Sequence, residues 1–204
     1  MLWRISRIKI KLAPSVNLNE DVVIAVDSTG IKVANRGEWI RHKWKSRRGF
    51  IKIHVAVDTT TKQIVSMKVT KENVGDGSMF KPLLEEATTQ TNVKRVLADG
   101  AYGSRDNFQF LHDSNLEPGI KVRKNSSAKS MGCSPRKITV LRQLSDFDKW
   151  KHSASYGHRW VAETVFSSLK RIFGEHVSSI RWKNIVNELL IKAHVYNMFM
   201  KISC

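Results

Sequence analysis

The sequence VVIAVDSTG, residues 22–30, contains the strand around which the rest of the chain is organised. Five apolar residues, Val22 to Val26, lead directly to the carboxylate of Asp27 and then to small residues that favour turns. Such a continuous apolar run is typical of a central strand that is buried on both faces of its sheet. The pattern therefore predicts a buried strand that ends in an acidic side chain.

The segments that follow alternate between predicted strands and helices. Residues 51–58 and 63–70 flank the turn-like sequence TTTK and alternate apolar and polar positions, which predicts a β-hairpin. An acid-free segment late in the chain has no clear periodicity and is interpreted as a loop. The remaining predicted elements are a helix over 78–90, a strand over 93–99, a helix over 105–114 capped by Ser104, a strand over 118–122 and helices over about 153–173 and 182–201. This order predicts one α/β domain of three layers, in which helices flank a mixed central sheet.

Two aspartates occupy the same setting in the chain. Asp27 and Asp99 each follow an apolar stretch and precede small residues, STG and GAYG respectively. Ligand sites in open α/β sheets lie beyond the carboxyl ends of the strands, and paired carboxylates there can share a divalent cation such as Mg²⁺. The alternative is that each aspartate opens a turn by accepting hydrogen bonds from nearby backbone N–H groups. We assign that structural role to Asp58, because a hairpin turn follows it.

The sequence YGHRWVAETVFSSLK, residues 156–170, provides a third carboxylate. At about 100° per residue, the polar residues of this helix fall within about 60° of one another: Tyr156, Arg159, Glu163 and Lys170. The opposite side is apolar and can pack on the sheet: Val161, Val165, Leu169 and Ile172. An ordinary amphipathic helix with a surface ion pair is the alternative. The two aspartates earlier in the chain favour a functional stripe.

The chain is strongly basic. Its 204 residues include 35 Lys and Arg against 18 Asp and Glu, which gives a net charge of +17 and calls for an anionic partner. The two cysteines, Cys133 and Cys204, are too few for a disulfide framework and lack zinc-binding spacing. No apolar window has the length of a membrane span or a signal core. We therefore expect a cytoplasmic, nucleoid-associated protein that does not bind membranes.

The positive charge is concentrated in two segments. Lys and Arg neutralise phosphates, and aromatic rings such as those of Trp39 and Trp44 can stack on unpaired bases, so both segments predict contact with nucleic acid. Solvated loops with packed tryptophans are the alternative. The first segment, residues 36–52, contains Arg36, Arg41, Lys43, Lys45, Arg47, Arg48 and Lys52. The second, residues 118–145, lacks acids and contains Lys121, Arg123, Lys124, Lys129, Arg136, Lys137 and Arg142.

Three of these patterns together resemble one protein family. The spacing Y-x2-R-x3-E-x6-K, formed by Tyr156, Arg159, Glu163 and Lys170, resembles the C-terminal signature of DDE transposases of the IS4/IS5 insertion-sequence superfamily. The stretches VDSTG and LADGAYGS are similar to the regions around that family's first and second catalytic aspartates. The similarity extends over residues 22–200. It implies a ribonuclease H-like fold, in agreement with the predicted order of elements.

The resemblance also implies a chemistry. It makes Asp27, Asp99 and Glu163 the catalytic residues and the ligands of a pair of Mg²⁺ ions, for which Mn²⁺ can substitute. One ion would activate a water or a DNA 3′-hydroxyl and the other would stabilise the leaving oxygen, so that DNA cleavage and strand transfer share one site. The residues implied to contact DNA near the cleaved bond are Tyr156, Arg159 and Lys170. The basic residues expected to extend that DNA track are Arg41, Lys43, Lys45, Arg47 and Arg48.

The N-terminal part departs from the family pattern. Only 26 residues precede Asp27, whereas family members usually place a helical DNA-recognition region before the catalytic domain. We therefore divide the chain into a short basic segment, residues 1–20, and a ribonuclease H-like DDE catalytic domain, residues 21–204. A truncated element or one product of a split reading frame would explain the difference.

The resemblance implies a Mg²⁺-dependent insertion-sequence transposase. Its partners would be double-stranded DNA, both transposon ends and target, and a second copy of the chain as a homodimer on DNA. A related ribonuclease H-like nuclease and a non-catalytic DNA-binding remnant are the alternatives.

Overall fold

The computed structural model describes residue 12, residue 14, residues 20–33, residues 50–127, residue 129 and residues 132–202. Within them the strands are β1 (Val22–Val33), β2 (Phe50–Asp58), β3 (Ile64–Lys71), β4 (Val93–Ala98), β5 (Glu117–Ile120) and β6 (His176–Val177). The helices are α1 (Phe80–Thr88), α2 (Arg105–Asp113), α3 (Ser134–Ser145), α4 (Phe147–Ser153), α5 (Trp160–Phe173) and α6 (Trp182–Ile202). Short 3₁₀ turns span Asp76–Met79, Gly100–Tyr102 and Tyr156–Arg159. None of the described helices is long and apolar enough to cross a membrane.

The strands form one mixed sheet with β1 near its centre. The order is β3-β2-β1-β4-β5, and β6 adds a short parallel pairing to the end of β1. The pairs β1–β2 and β2–β3 are antiparallel, whereas β1–β4 and β4–β5 are parallel. This is the mixed sheet of the predicted ribonuclease H-like domain, and the predicted fold is confirmed.

Helices cover both faces of the sheet. On one face, α1 and α2 bury Phe80, Leu83 and Phe108 against the even-numbered positions of β1. On the other face, α5 and α6 bury Val161 and Leu189, among others, against the odd-numbered positions. The apolar run of β1 therefore has partners on both sides, which explains why it does not alternate. The three predicted layers are present.

Local hydrogen bonds fix the connections as the sequence indicates. The predicted hairpin joins β2 to β3, and the carboxylate of Asp58 accepts hydrogen bonds from the Thr60 amide at 2.8 Å and the Thr61 hydroxyl at 2.6 Å. Its structural role is confirmed. The hydroxyl of Ser104 accepts a hydrogen bond from the Asn107 amide at 3.1 Å and caps α2, as predicted.

Three predictions about the elements differ from the structure. The strand that contains Asp27 does not end there but continues to Val33, because β2 pairs with β1 as far as Lys32. The acid-free segment is not a loop throughout, since α3 occupies Ser134–Ser145 and α4 follows it. Gln143 of α3 holds this helix to the end of β5 by bonding the backbone of Ile120 and Val122. The predicted helix over 153–173 is a 3₁₀ turn followed by α5.

Candidate active site

Asp27 and Asp99 lie side by side where two parallel strands separate. Ala25 of β1 pairs with Leu97 of β4, and two further residues along each strand lead to the two aspartates. β4 ends at Ala98, and the chain then turns through Gly100–Tyr102, while β1 continues along β2. The crevice that was expected at a strand end opens where β1 and β4 separate. Only Asp99 lies at the end of its strand, because β1 continues beyond Asp27.

Each aspartate also makes a local backbone hydrogen bond. Oδ1 of Asp27 accepts from the Ser28 amide at 2.8 Å. Oδ1 of Asp99 accepts from the Ala101 amide at 2.8 Å and caps the turn that follows it. One oxygen of each carboxylate therefore accepts a hydrogen bond from a nearby backbone N–H group, which is the turn-forming role that the sequence left open. It also fixes the orientation of both groups.

Helix α5 places Glu163 next to Asp27 through an arginine. Arg159 Nη1 lies 3.4 Å from Asp27 Oδ2, although 132 residues separate them in the chain. Arg159 Nη2 donates to Glu163 Oε1 one turn further along the helix. The helix is positioned by Val161 and Val165, which are buried on the sheet. One guanidinium thus connects two carboxylates from opposite ends of the sequence.

Burial and charge act on Asp27 in opposite directions. Burial raises the pKa of the Asp27 carboxyl, and the negative charges of Asp99 and Glu163 raise it further. The Ser28 amide and the Arg159 guanidinium lower it, but the net pKa is above its ordinary value. Asp99 and Glu163 are therefore each close enough to Asp27 to repel its negative charge, which is an electrostatic setting that favours a cation.

The other polar residues of the predicted stripe face the same crevice. Lys170 Nζ donates to Thr29 Oγ1 on β1 at 2.9 Å. The ring of Tyr156 packs against Trp150 with 5.2 Å between ring centroids, and burial raises the pKa of its hydroxyl. The charges of Asp27 and Asp99 also act on that hydroxyl. Tyr156, Arg159, Glu163 and Lys170 therefore lie together as predicted, although the first two belong to a 3₁₀ turn.

The opposite side of α5 packs as predicted except at one position. Val161, Val165 and Leu169 are buried, whereas Ile172 is 44% exposed. Glu163 itself is on the exposed side and lines an open cleft of about 410 Å³ with Trp160 and Arg171. The site is therefore open to a large partner along α5.

The first basic segment is described only at its end. Trp39, Trp44 and the predicted DNA contacts lie outside the described residues: Arg41, Lys43, Lys45, Arg47 and Arg48. Most of residues 1–20, the predicted N-terminal segment, are also outside them. Lys52, at the end of the basic segment, bonds the carboxylate of Asp76 at 3.1 Å and is half-buried, so its charge is directed into the protein.

The second basic segment begins beside the crevice. The backbone and side chain of Arg123 pack on Gly100, directly after Asp99. Lys121 Nζ lies 5.3 Å from the centroid of the Phe147 ring, at a cleft that also contains Lys124. Arg136 instead turns inward and donates to the Gly103 carbonyl at 3.0 Å. Part of this segment thus lies next to the turn that follows Asp99, and part of it stabilises the fold.

The three carboxylates provide the donor chemistry of a divalent cation site. Carboxylate oxygens are the ligands that Mg²⁺ and Mn²⁺ favour. As placed, no three Asp, Glu, His or Cys side chains among the described residues are close enough together to hold a metal ion. Arg159 instead provides the positive charge between Asp27 and Glu163. The chemistry of the three donors therefore suits a divalent cation, although their present placement does not bring all three together.

Sequence reasoning missed a fourth carboxylate near the site. Asp76 lies at the start of the 3₁₀ turn before α1 and accepts a hydrogen bond from Ser28, the residue after Asp27. Residues 76 and 77 directly precede the helix predicted over 78–90, and the sequence analysis assigned them no role. The partners of Asp76 are Lys52 and His54, which occupy alternate positions of β2 and so lie on the same face of the sheet. This alternation was the available sequence signal for a polar cluster on that face.

Comparison with known proteins gives the family. A family model described as "Transposase DDE domain" matches residues 18–198. The integrase catalytic core of HTLV-2, in its dimeric form with magnesium, is 15% identical with a TM-score of 0.36, and the match covers 71% of this chain and 86% of that chain. The piggyBac transposase in a synaptic complex with hairpin DNA is 13% identical with a TM-score of 0.47, and 91% of this chain and 48% of that chain are covered.

A third similar structure is the simian T-cell lymphotropic virus intasome in complex with the PP2A regulatory subunit B56 gamma. It is 14% identical with a TM-score of 0.38, and 73% of this chain and 51% of that chain are covered. The match thus spans about half the length of the piggyBac and simian virus chains. The family model, in contrast, covers nearly the whole sequence, including all three carboxylates and the stripe on α5, and the chain belongs to the transposase DDE domain family.

Proposed function

We propose that this protein is an insertion-sequence transposase of the IS4/IS5 type, which cleaves DNA at transposon ends and joins the freed strand to target DNA. One observation carries the proposal. Asp27 and Asp99 are neighbours on β1 and β4, and Arg159 links Asp27 to Glu163 on α5. Asp27 thus has Asp99 on the neighbouring strand and Glu163 across Arg159, in a chain of the transposase DDE domain family, and this supports the proposal.

In this proposal Asp27, Asp99 and Glu163 hold a pair of divalent cations, Mg²⁺ or Mn²⁺. Bound there, the cations would lower the pKa of a water or a DNA 3′-hydroxyl and stabilise the leaving oxygen. The protein contributes the arrangement of the donors. The amides of Ser28 and Ala101 hold the aspartates in place, and burial of α5 against the sheet holds Glu163.

The cationic side chains at the crevice would contact the phosphates. Lys170 is held at Thr29, two residues beyond Asp27, and would contact a phosphate near the cleaved bond. Arg159 would exchange its carboxylate partners for DNA once cations neutralise those carboxylates. Tyr156 is anchored by Trp150 at the same edge. Such contacts position a duplex without reading its bases.

The net charge of +17 supplies the remaining, sequence-independent attraction to DNA. Arg41, Lys43, Lys45, Arg47 and Arg48 would extend the DNA track. Lys121, Arg123 and Lys124, which follow β5, would extend it as well. Two transposon ends are joined in one reaction, so we expect a homodimer on DNA.

A cleavage and joining assay tests the proposal. The purified protein is mixed with MgCl₂ and a labelled duplex that carries the inverted-repeat end from its own element. Nicked and strand-joined products are expected from the parent protein. Asp27→Asn, Asp99→Asn and Glu163→Gln should each abolish both products and keep DNA binding at low salt, whereas Asp113→Asn, on the exposed side of α2, should retain them.

The alternatives give different patterns in the same assay. Nicking without any joined product would favour a ribonuclease H-like nuclease. Salt-dependent binding with no product from the parent protein would favour a non-catalytic remnant. Cleavage that survives Asp99→Asn would remove Asp99 from the catalytic group.

A further inference from the structure

A second polar cluster lies directly behind Asp27, on the opposite face of the sheet. Ser28 follows Asp27 in β1, and side chains alternate between faces, so the Ser28 hydroxyl points away from the crevice. It donates to Asp76 Oδ1 at 2.9 Å. Lys52 Nζ donates to the same oxygen at 3.1 Å and to the Val74 carbonyl at 3.0 Å. Asp76 is thus tied to β1 and to β2, and Lys52 also holds the segment that precedes Asp76.

The fourth member of this cluster is a buried histidine. His54 is opposite Ser28 in the β1–β2 register and is fully buried. Its Nε2 bonds the Thr70 hydroxyl at 2.8 Å, and its Nδ1 lies 3.7 Å from Asp76 Oδ1. Burial lowers the pKa of His54 to about 4, so the imidazole is neutral at physiological pH. Lys52 is therefore the cation that balances Asp76.

The Asp76 turn also contacts the segment that carries Asp99. Gly77 packs so closely on the Ala101 carbonyl that a Cβ there would lie 3.1 Å from the oxygen. Asn107 Nδ2 donates both to the Gly77 carbonyl at 3.3 Å and to the Tyr102 carbonyl at 2.9 Å. These contacts hold the turn after Asp76 against the turn after Asp99. Tyr102 itself is 1% exposed in the core between them.

We propose that Asp76 is a positioning residue: its carboxylate holds Ser28, and the 3₁₀ turn that it begins packs through Gly77 on the Gly100–Tyr102 turn, so that it sets the separation of Asp27 and Asp99. A brace is needed at this point because β1 and β4 part there, and no ladder hydrogen bonds hold the two aspartates at a fixed distance. Like charges on the two carboxylates favour a wider separation in the absence of a cation. The inference rests on the proposed function, since the separation matters only if the aspartates share a ligand.

The test is the affinity of the full chain for Mn²⁺, measured by isothermal titration calorimetry without DNA. Asp76→Ala and Ser28→Ala should each weaken Mn²⁺ binding by about 10- to 100-fold, the usual effect of removing a group that orients metal ligands. Ser28→Thr, which keeps the hydroxyl, should restore most of the affinity. Because both changes break the same contact, the Asp76→Ala/Ser28→Ala double variant should bind Mn²⁺ no less tightly than the single variant with the lower affinity.

Asp21→Ala is the matched control. Asp21 also accepts hydrogen bonds from a lysine and a second side chain, Lys94 at 2.7 Å and Asn92 at 3.0 Å, but it lies at the other end of β1. Its loss should leave the Mn²⁺ affinity unchanged. An equal loss of affinity in Asp21→Ala would overturn the inference, because general loosening of the fold would then explain the effect.

Two further results separate this inference from the proposed function. If Asp76→Ala and Ser28→Ala both bind Mn²⁺ as tightly as the parent, and Asp27→Ala abolishes binding, then only the positioning role is overturned. If the parent protein shows no Mn²⁺ binding that Asp27→Ala removes, then both the proposed metal site and the positioning role are overturned. If Asp76→Ala does not fold, Ser28→Ala still decides, because it leaves the Asp76–Lys52 ion pair intact.

Discussion

Replacing Arg159 by alanine should make the stability of the protein depend on a divalent cation. The arginine offers one long contact of 3.4 Å to Asp27 and one to the exposed Glu163. A hydrogen bond between charged groups is worth about 1.5–3 kcal/mol at ideal length, and an exposed pair four residues apart on a helix about 0.3–0.5 kcal/mol. Discounting the first contact for its length, the total is about 1–2 kcal/mol. For a chain of this size that lowers Tm by about 2–8 °C.

The assay is thermal unfolding followed by circular dichroism, in EDTA and in millimolar MgCl₂. In EDTA the Arg159→Ala variant should be less stable than the parent, because its carboxylates repel without a cation between them. Mg²⁺ should raise the Tm of the variant more than that of the parent, since the ion no longer competes with the guanidinium. NaCl at equal ionic strength corrects for general screening of charge.

Arg95→Ala is the control for this experiment. The side chains of Arg95 and Arg159 are each 23% exposed, and each forms an ion pair with one partly exposed glutamate. Among the described residues, Arg95 has no aspartate partner. Its loss should cost stability that Mg²⁺ does not restore. The reasoning is refuted if Mg²⁺ raises the Tm of Arg159→Ala no more than that of the parent, or raises that of Arg95→Ala equally.

Three other substitutions test parts of the account by their effects on stability. Because burial raises the pKa of Asp27 above 3.8, its contribution to stability is complete below that pH and is lost as the pH rises through the higher folded-state value. Asp27→Asn should therefore have a higher Tm than the parent at pH 7 in EDTA, and the difference should disappear in acid; a lower Tm at pH 7 would contradict this. His54 has its pKa lowered from 6.5 to about 4, so unfolding takes up a proton in that window and stability falls by up to about 3 kcal/mol as the pH drops through it. His54→Gln should flatten this loss in urea titrations at a series of pH values, and an unchanged slope would count against a buried neutral histidine. Asn197 is buried and bonds both the amide and the carbonyl of Ile64 at 2.8 Å. In urea unfolding, Asn197→Ala should therefore lower the free energy of unfolding by about 2–4 kcal/mol, whereas Met198→Ala, at the exposed neighbouring position, should change it by no more than about 0.5 kcal/mol. Equal effects would refute the role of Asn197.

Much of the fold could be predicted because its central signals are local. The apolar run of β1, the hairpin with Asp58 at its turn and the Ser104 cap of α2 each depend on residues that are close together in the sequence. The stripe on α5 could be predicted from helical periodicity alone. These features converge on one arrangement of layers.

The end of β1 could not be predicted from the residues themselves. Ser28, Thr29 and Gly30 favour a turn, yet they remain in the strand because β2 continues to pair with them after β4 has ended. Tertiary pairing overrides local preference here. The same pairing places Asp27 within a strand.

Helix α3 was missed although its start carries a usable signal. Pro135 occupies the first turn, where proline is favoured. Three apolar residues that would normally indicate a buried face, Ile138, Leu141 and Leu144, are instead 46%, 47% and 62% exposed. The periodicity was therefore not that of an ordinary packed helix.

The partners of Arg159 and Asp76 could not be predicted from the sequence either. Arg159 was expected to contact DNA, and in the absence of DNA its nearest anions are Asp27 and Glu163. Asp76 acts on the face of the sheet behind the crevice, through a serine that was interpreted as a turn residue. Contacts across a sheet depend on register, which the linear pattern does not specify.

The most direct measurement is anomalous diffraction from crystals of the protein grown with an end-containing DNA duplex and Mn²⁺. The account predicts manganese peaks in the crevice between Asp27, Asp99 and Glu163, with the Arg159 side chain moved onto a DNA phosphate. Manganese that binds only elsewhere, with Arg159 still joining Asp27 to Glu163 in the presence of DNA, would contradict it.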